Sequence, residues 1–172
     1  MRVVLDTVIY NRAVENPVFE LLLRRACNIG LIELVTTHVQ KDQLSKTQDP
    51  QKREALLSIF MDTCSQQTPT AAFVWDVSNW DQAEWPDEDA TSFFEQTLGR
   101  TVPGHKGHST DALLAVTAFA KADMFVTDDR KLFKRTQAAV TATSGKLRVS
   151  FYEDFVNALE TPEGVDHEWN KL

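Results

Sequence analysis

Asp6, Asp111, Asp128 and Asp129 adjoin short apolar runs, where carboxylates are uncommon unless something uses them. Asp6 ends Val3-Val4-Leu5, Asp111 opens the apolar stretch that follows Ser109-Thr110, and Asp128 and Asp129 follow Met124-Phe125-Val126-Thr127. A fifth acid, Asp42, lies on the polar side of "HVQKDQLSKTQ". Carboxylates brought together raise one another's pKa, and a hard divalent cation relieves that repulsion. Mg²⁺ takes oxygen ligands, keeps several waters and needs only one or two direct carboxylates. Two such ions about 4 Å apart activate a water and stabilise the leaving oxygen of a phosphodiester. The chemistry these residues suggest is therefore metal-dependent phosphodiester hydrolysis. Each acid also has a plainer reading: Asp6 as a turn or cap, Asp42 as a solvated helix residue, Asp111 answering a helix dipole, and Thr127-Asp128-Asp129 as a capping motif. Their joint placement favours the site.

The elements between them decide whether they meet. Residues 2–5 read as a buried strand, 31–37 as a second, 70–77 as a third, 123–127 as a fourth and "KLRVSFY" as the last. Helices are expected in "NPVFELLLRRACNIG", with Pro17 at its start, Val18, Leu21, Leu22 and Cys27 at helical spacing and Gly30 as a stop. Others are expected after residue 38, with Val39 and Leu44 inward, and after Asp49-Pro50, where Asp49 is the N-cap. Further helices are expected at 87–98, at 109–120 with Ser109 or Thr110 as cap, at about 129–142 and in "EDFVNALE". Short apolar strands alternating with helices predict an α/β fold: three layers, α/β/α, around a mostly parallel sheet of four or five strands. Ligands bind such sheets at the carboxyl ends of the strands, near a topological switch point. Asp6, Asp128 and Asp129 belong to that edge.

The chain has 172 residues, enough for one domain, expected over 1–160 with an insertion at about 65–107 and a polar tail at 161–172. Apolar residues make up 42% and charged residues 25%, so no disulfide or structural metal is required for a core. Cys27 and Cys64 stand in no metal-like spacing and are expected to be reduced and mostly buried. No signal peptide opens the chain and no apolar run reaches the ~18 residues of a membrane span, so a cytoplasmic protein with no membrane partner is expected. The net charge of −7 argues against a non-specific nucleic-acid coat, though not against a nuclease whose bound cations reverse the local field.

"VVLDTVIY" and "DALLAVTAFAKADMFVTDD" resemble the opening strand and closing signature of PIN-domain nucleases, of which the VapC-like toxins are one kind. The first matches as an apolar strand, Asp, then Thr. The second matches as Asp-Ala-apolar-apolar-Ala, an Ala-rich helix, then apolar-Thr-x-Asp. On that pattern Asp129 is the family's last acid and Asp128 its variable neighbour. The resemblance covers most of 1–60 and 108–155. The chain departs from it in having Asp42 where Glu is commoner in a Val-x-x-Glu-Leu setting, Val8 for Asn or Ser, and the extra Asp128; Glu33 is the other acid near Asp42. The resemblance implies Mg²⁺- or Mn²⁺-dependent endonucleolytic cleavage of single-stranded RNA, with Asp6, Asp42, Asp111 and Asp129 as catalytic metal ligands. It implies that Thr7 and Thr127 orient water or ligands; Lys41, Arg130 and Lys131 are candidate phosphate contacts, with a charged, solvated helix surface as the other reading. It further implies a toxin of a toxin–antitoxin pair, with an antitoxin or other protein partner, or a homodimer, as the protein contacts.

Other readings are weaker. His105 and His108 lack two further ligands for zinc. Trp75, Trp80 and Trp85 fit core packing or an oligomer contact better than base stacking. An aspartyl phosphatase needs Asp-x-Asp, which Val8 breaks, and no Gly-rich turn follows the first strand for a dinucleotide. From another class, the chain could keep the fold as an inactive scaffold that binds RNA or a protein.

Overall fold

The computed structural model describes residues 1–64, 67–74, 77–78, 81–98 and 106–160. Four strands form one sheet: β1 (Arg2–Leu5), β2 (Glu33–Leu34), β3 (Met124–Thr127) and β4 (Arg148–Phe151). Their order is β2-β1-β3-β4 and every pairing is parallel. β1 and β3 are central, and apart from Thr127 their buried residues are all apolar, as in strands covered on both faces. Val3, Leu5, Met124 and Val126 enter one core, while Val4 and Phe125 enter the other, following the two-residue side-chain period.

Eight helices cover the two faces among the described residues: α1 (Thr7–Glu15), α2 (Pro17–Asn28), α3 (His38–Ser45), α4 (Pro50–Thr63), α5 (Glu88–Leu98), α6 (Lys106–Lys121), α7 (Arg130–Ala142) and α8 (Tyr152–Glu160). Residues of α1, α2, α4 and α8 build the first core; those of α5, α6 and α7 build the second. The fold is α/β with three layers, as the strand and helix alternation predicts. Local chemistry sets the helix starts. Asn16 accepts amide bonds from Val18 and Phe19 with Pro17 behind it, and Asp49 accepts from Gln51 and Lys52 before Pro50 opens α4. Gly30, at φ 72°, turns the chain after α2 in a conformation that L side chains rarely take.

Several expectations are corrected. α1, directly after Asp6, was not anticipated. On α2 the buried face is Phe19, Leu23 and Ala26, whereas Val18 and Leu21 are exposed. Leu22 and Cys27 of the expected stripe are half-buried and pack against the core, but its centre is the adjacent stripe that carries the Phe19 ring. The strand expected at 31–37 shortens to two residues, followed by an isolated bridge from Thr36 to Gln67. None of the described residues of 70–77 belongs to a strand; Thr70 bridges Ala83, and the Ala71 amide bonds the Thr117 hydroxyl of α6. That segment buries Ala71 and Ala72 by packing on a helix rather than by joining the sheet. α6 begins at Lys106, so Ser109 and Thr110 lie inside it, and Asp111 is beyond the first turn where a helix dipole acts. Trp85 is 82% exposed and stacks on Phe73, so it is no core residue. Cys27 and Cys64 are half-buried free thiols. Trp75, Trp80, His105, the side chain of His108, and the tail at 161–172 lie outside the described residues, as does part of the segment 65–107.

Candidate functional site

From β1 the chain adds β2 on one side, and β3 and β4 follow on the other, so the order in which strands are laid down reverses between the adjacent parallel strands β1 and β3. This is the switch point, and Asp6 and Thr127 stand at its carboxyl edge. The Asp6 amide donates to Val126 O at 2.9 Å, which locks the residue to β3. Its carboxylate is only 5% exposed, and Oδ2 accepts a 2.7 Å bond from the Thr127 hydroxyl. Asp6 occupies the N-cap position of α1 but makes no capping bond with its side chain. Burial raises its pKa, opposed by Thr127 and the nearby Thr7 and Val8 amides, and the charge of Asp129 adds to the rise. Thr7 contributes a long 3.4 Å bond to Oδ1.

Thr127 is fully buried and serves two acids at once. Its hydroxyl donates to Asp6 and accepts the Asp129 amide at 3.1 Å. Asp129 caps α7, its Oδ1 accepting from Lys131 N at 2.6 Å and Leu132 N at 3.0 Å. Asp128 points elsewhere: Arg12 of α1 grips its Oδ2 through Nε at 2.8 Å and Nη2 at 2.6 Å. The two adjacent aspartates thus have different attachments, one to the helix behind it and one to a cation.

Asp111 comes from α6, on the second face of the sheet. Its pKa is pushed up to about 7, first by burial, then by Asp6, with Asp129 adding and Arg135 of α7 opposing. Asp6, Asp111 and Asp129 therefore lie within each other's fields, although they come from β1, α6 and the β3–α7 junction. Asp42 does not join them. It is exposed on α3, and its charge acts on His38 instead. The α3 side chain that reaches the end of β1 is Gln40, fully buried, with Nε2 donating to Leu5 O at 2.6 Å and Oε1 accepting from Thr37 N at 2.7 Å. Glu33 stands on the edge strand β2, facing Arg2 at 3.9 Å. Lys41, Arg130 and Lys131 are exposed.

Three residues at this edge escape the sequence reading: Gln40, Arg12 and Arg135. Gln40 left a legible sign, since Thr37-x-x-Gln40 is a capping box, and the box forms. Arg12 and Arg135 left none, because their partners are far away in sequence.

Among the described residues, no three His, Cys, Asp or Glu side chains gather closely enough to enclose one metal ion. A cage built wholly of protein ligands does not fit this edge. A hydrated Mg²⁺ or Mn²⁺ does fit, because such an ion takes one or two carboxylates and fills its other positions with water. The donors are of the right chemistry, all hard oxygen, and burial followed by mutual repulsion raises the pKa of Asp6 and Asp111, a cost that a bound cation would relieve. In comparisons with known proteins, no family model, no curated protein and no solved structure matches the chain.

Proposed function

We propose that the chain is a Mg²⁺- or Mn²⁺-dependent endoribonuclease of the PIN type, acting on single-stranded RNA at the carboxyl edge between β1 and β3. The observation that carries the reading is the convergence there of Asp6, Asp111 and Asp129, with Thr127 bonded to the first and the last. A bound hydrated cation would supply an acidified water and stabilise charge on the cleaved phosphate. Asp6 and Asp111 would hold it, and Asp129 would orient its waters from the end of α7. The Asp111 carboxyl, near pKa 7, is about half protonated at neutral pH, and a bound cation would displace that proton. Thr127 fixes the Asp6 carboxylate in one rotamer, so it need not reorganise when substrate arrives. Asp42 falls to a peripheral place. RNA as substrate, a toxin role with an antitoxin, and a homodimer rest on the family resemblance.

The test is incubation of purified protein with single-stranded RNA and DNA, in Mn²⁺ and in excess chelator. RNA should be cut in Mn²⁺ alone, and Asp6→Asn and Asp111→Asn should be inactive. Cleavage that persists in chelator counts against the reading, as does a fully active Asp111→Asn. A second reading, a non-catalytic scaffold, is favoured by the structural work Asp128 and Asp129 already do in gripping Arg12 and capping α7. Binding of RNA without cleavage under any divalent ion would select it.

A further inference from the structure

Beside the acidic edge, past Asp128, lies a cavity of about 330 Å³ whose walls include Phe133 and Phe151. That volume lies within the ~300–1,000 Å³ of small-ligand sites. The two rings stack at 4.1 Å between centroids and 15° between planes. Stacked aromatic pairs usually belong to a core, but this one belongs to neither core of the molecule, and both rings are half-buried. Aromatic surface is therefore offered to something that enters. Arg130 and Lys134, one turn apart on α7, line the same cavity and pair with no carboxylate among the described residues. The lining thus sets these two cations beside the carboxylates of Asp128, Glu153 and Asp154, and on a chain of net charge −7 Arg130 and Lys134 give a phosphate a local partner there. Opposite them stand Glu153 and Asp154, in the first turn of α8.

The cavity is also in step with the candidate site. Phe151 ends β4 directly across from Thr127, the residue that holds Asp6, and neighbouring strands are about 4.8 Å apart. Asp128, on its wall, is the chain neighbour of Asp129. Aromatic faces next to cations are how proteins take successive units of a single strand: bases stack, phosphates meet Lys or Arg. Unpaired bases also present their Watson–Crick edges. A carboxylate there can only accept, so it selects edges that donate, and guanine offers two adjacent N–H groups where uracil offers one beside carbonyls.

We propose that this cavity is a base subsite for the nucleotide flanking the cleaved bond. It stacks that base on the outer face of the Phe133–Phe151 pair, holds the adjoining phosphate with Arg130 and Lys134, and prefers guanine through Glu153 and Asp154. The proposal rests on the nuclease reading of the adjacent edge and deepens it, by assigning a nucleotide preference to residues outside the acidic set.

The experiment measures binding, in excess chelator so that nothing is cut, of fluorescently labelled RNA hexamers UUGUUU and UUUUUU by anisotropy. Wild type should bind UUGUUU roughly 5- to 150-fold more tightly, the range of one good bidentate contact. Phe133→Leu keeps apolar volume but not the ring, and should weaken both hexamers by a factor in the same range. The double variant Glu153→Gln with Asp154→Asn, on exposed positions, should keep the fold and lose the preference. Equal affinity of wild type for the two hexamers overturns the subsite, as does no binding of either or variants that bind as wild type does. Selective binding without any cleavage in Mn²⁺ keeps the subsite and removes the nuclease reading. Cleavage in Mn²⁺ with no base preference and no response to these variants does the reverse.

Discussion

Replacing Asp111 by Asn should make the metal-free protein more stable at alkaline pH, an unusual result for a substitution at a half-buried position. The folded state holds this carboxyl at about 7 against an ordinary 3.8, so the native protein binds its proton more tightly than the unfolded chain does. Below about pH 4 both states are protonated and the group is neutral to stability. As pH rises from 4 to 7 the unfolded chain releases its proton first, and stability falls; above 7 the penalty is constant. Some three pH units at ~1.4 kcal/mol each set a ceiling of about 4 kcal/mol. Water still reaches part of the carboxyl, and Asp6 and Asp129 share in the same field, so about half of that, ~2 kcal/mol, is the realistic gain. Asparagine has nearly the same shape and never ionises, so it removes the penalty alone. For a domain of this size 1 kcal/mol moves Tm by about 2–4 °C, and the variant should melt about 4–8 °C above wild type at pH 8.5. The difference should shrink as pH falls through 4.5 and vanish by about pH 3, below the ordinary carboxyl value. The assay is a thermal melt of both proteins in excess chelator across that range, read as a difference so that other titrating groups cancel. If the variant melts with or below wild type at pH 8.5, Asp111 is not the strained carboxylate described here. Adding Mn²⁺ at ~100 times its dissociation constant should then raise wild type by about 2.7 kcal/mol and leave the variant almost unmoved.

Three further outcomes follow from the geometry. Asp129→Asn should keep α7 capped, since Asn caps as well as Asp, yet reduce cleavage by several orders of magnitude; Asp129→Ala should also lose about 1 kcal/mol in urea unfolding. If the Asn variant stays fully active, Asp129 is a cap and nothing more. Asp128→Asn weakens an exposed pair with Arg12, so stability should change by less than about 1 kcal/mol and the cleavage rate by about tenfold. A null activity in that variant would mean that Asp128 and Asp129 have exchanged roles. Thr127→Val keeps the shape but removes the donor to Asp6 and the acceptor for the Asp129 amide, costing about 1–3 kcal/mol in urea unfolding. An unchanged unfolding midpoint would show that the hydroxyl does not hold the two acids.

The elements that present the acids could be recognised from local sequence. Val3-Val4-Leu5 and Met124-Phe125-Val126 are too short and too apolar to be anything but central strands, and the caps Asn16, Asp49 and Thr37 act on residues two or three positions away. Parallel order follows from strand–helix alternation, so the meeting of Asp6 with the Thr127–Asp129 turn is legible in the sequence. What reaches that edge from α3 is not. Asp42 and Gln40 differ by half a helical turn, and only the packing of α3 against β1 determines that Gln40 is buried and Asp42 solvated. The role of the double aspartate depends likewise on Arg12, distant in sequence and brought close by the β1–β3 pairing. The same is true of the stacked rings, one on α7 and one at the end of β4. Local signals encode periodicity and capping because those interactions span a few residues. Charge pairing, side-chain burial and cavities arise from contacts across the sheet, and there the tertiary structure decided.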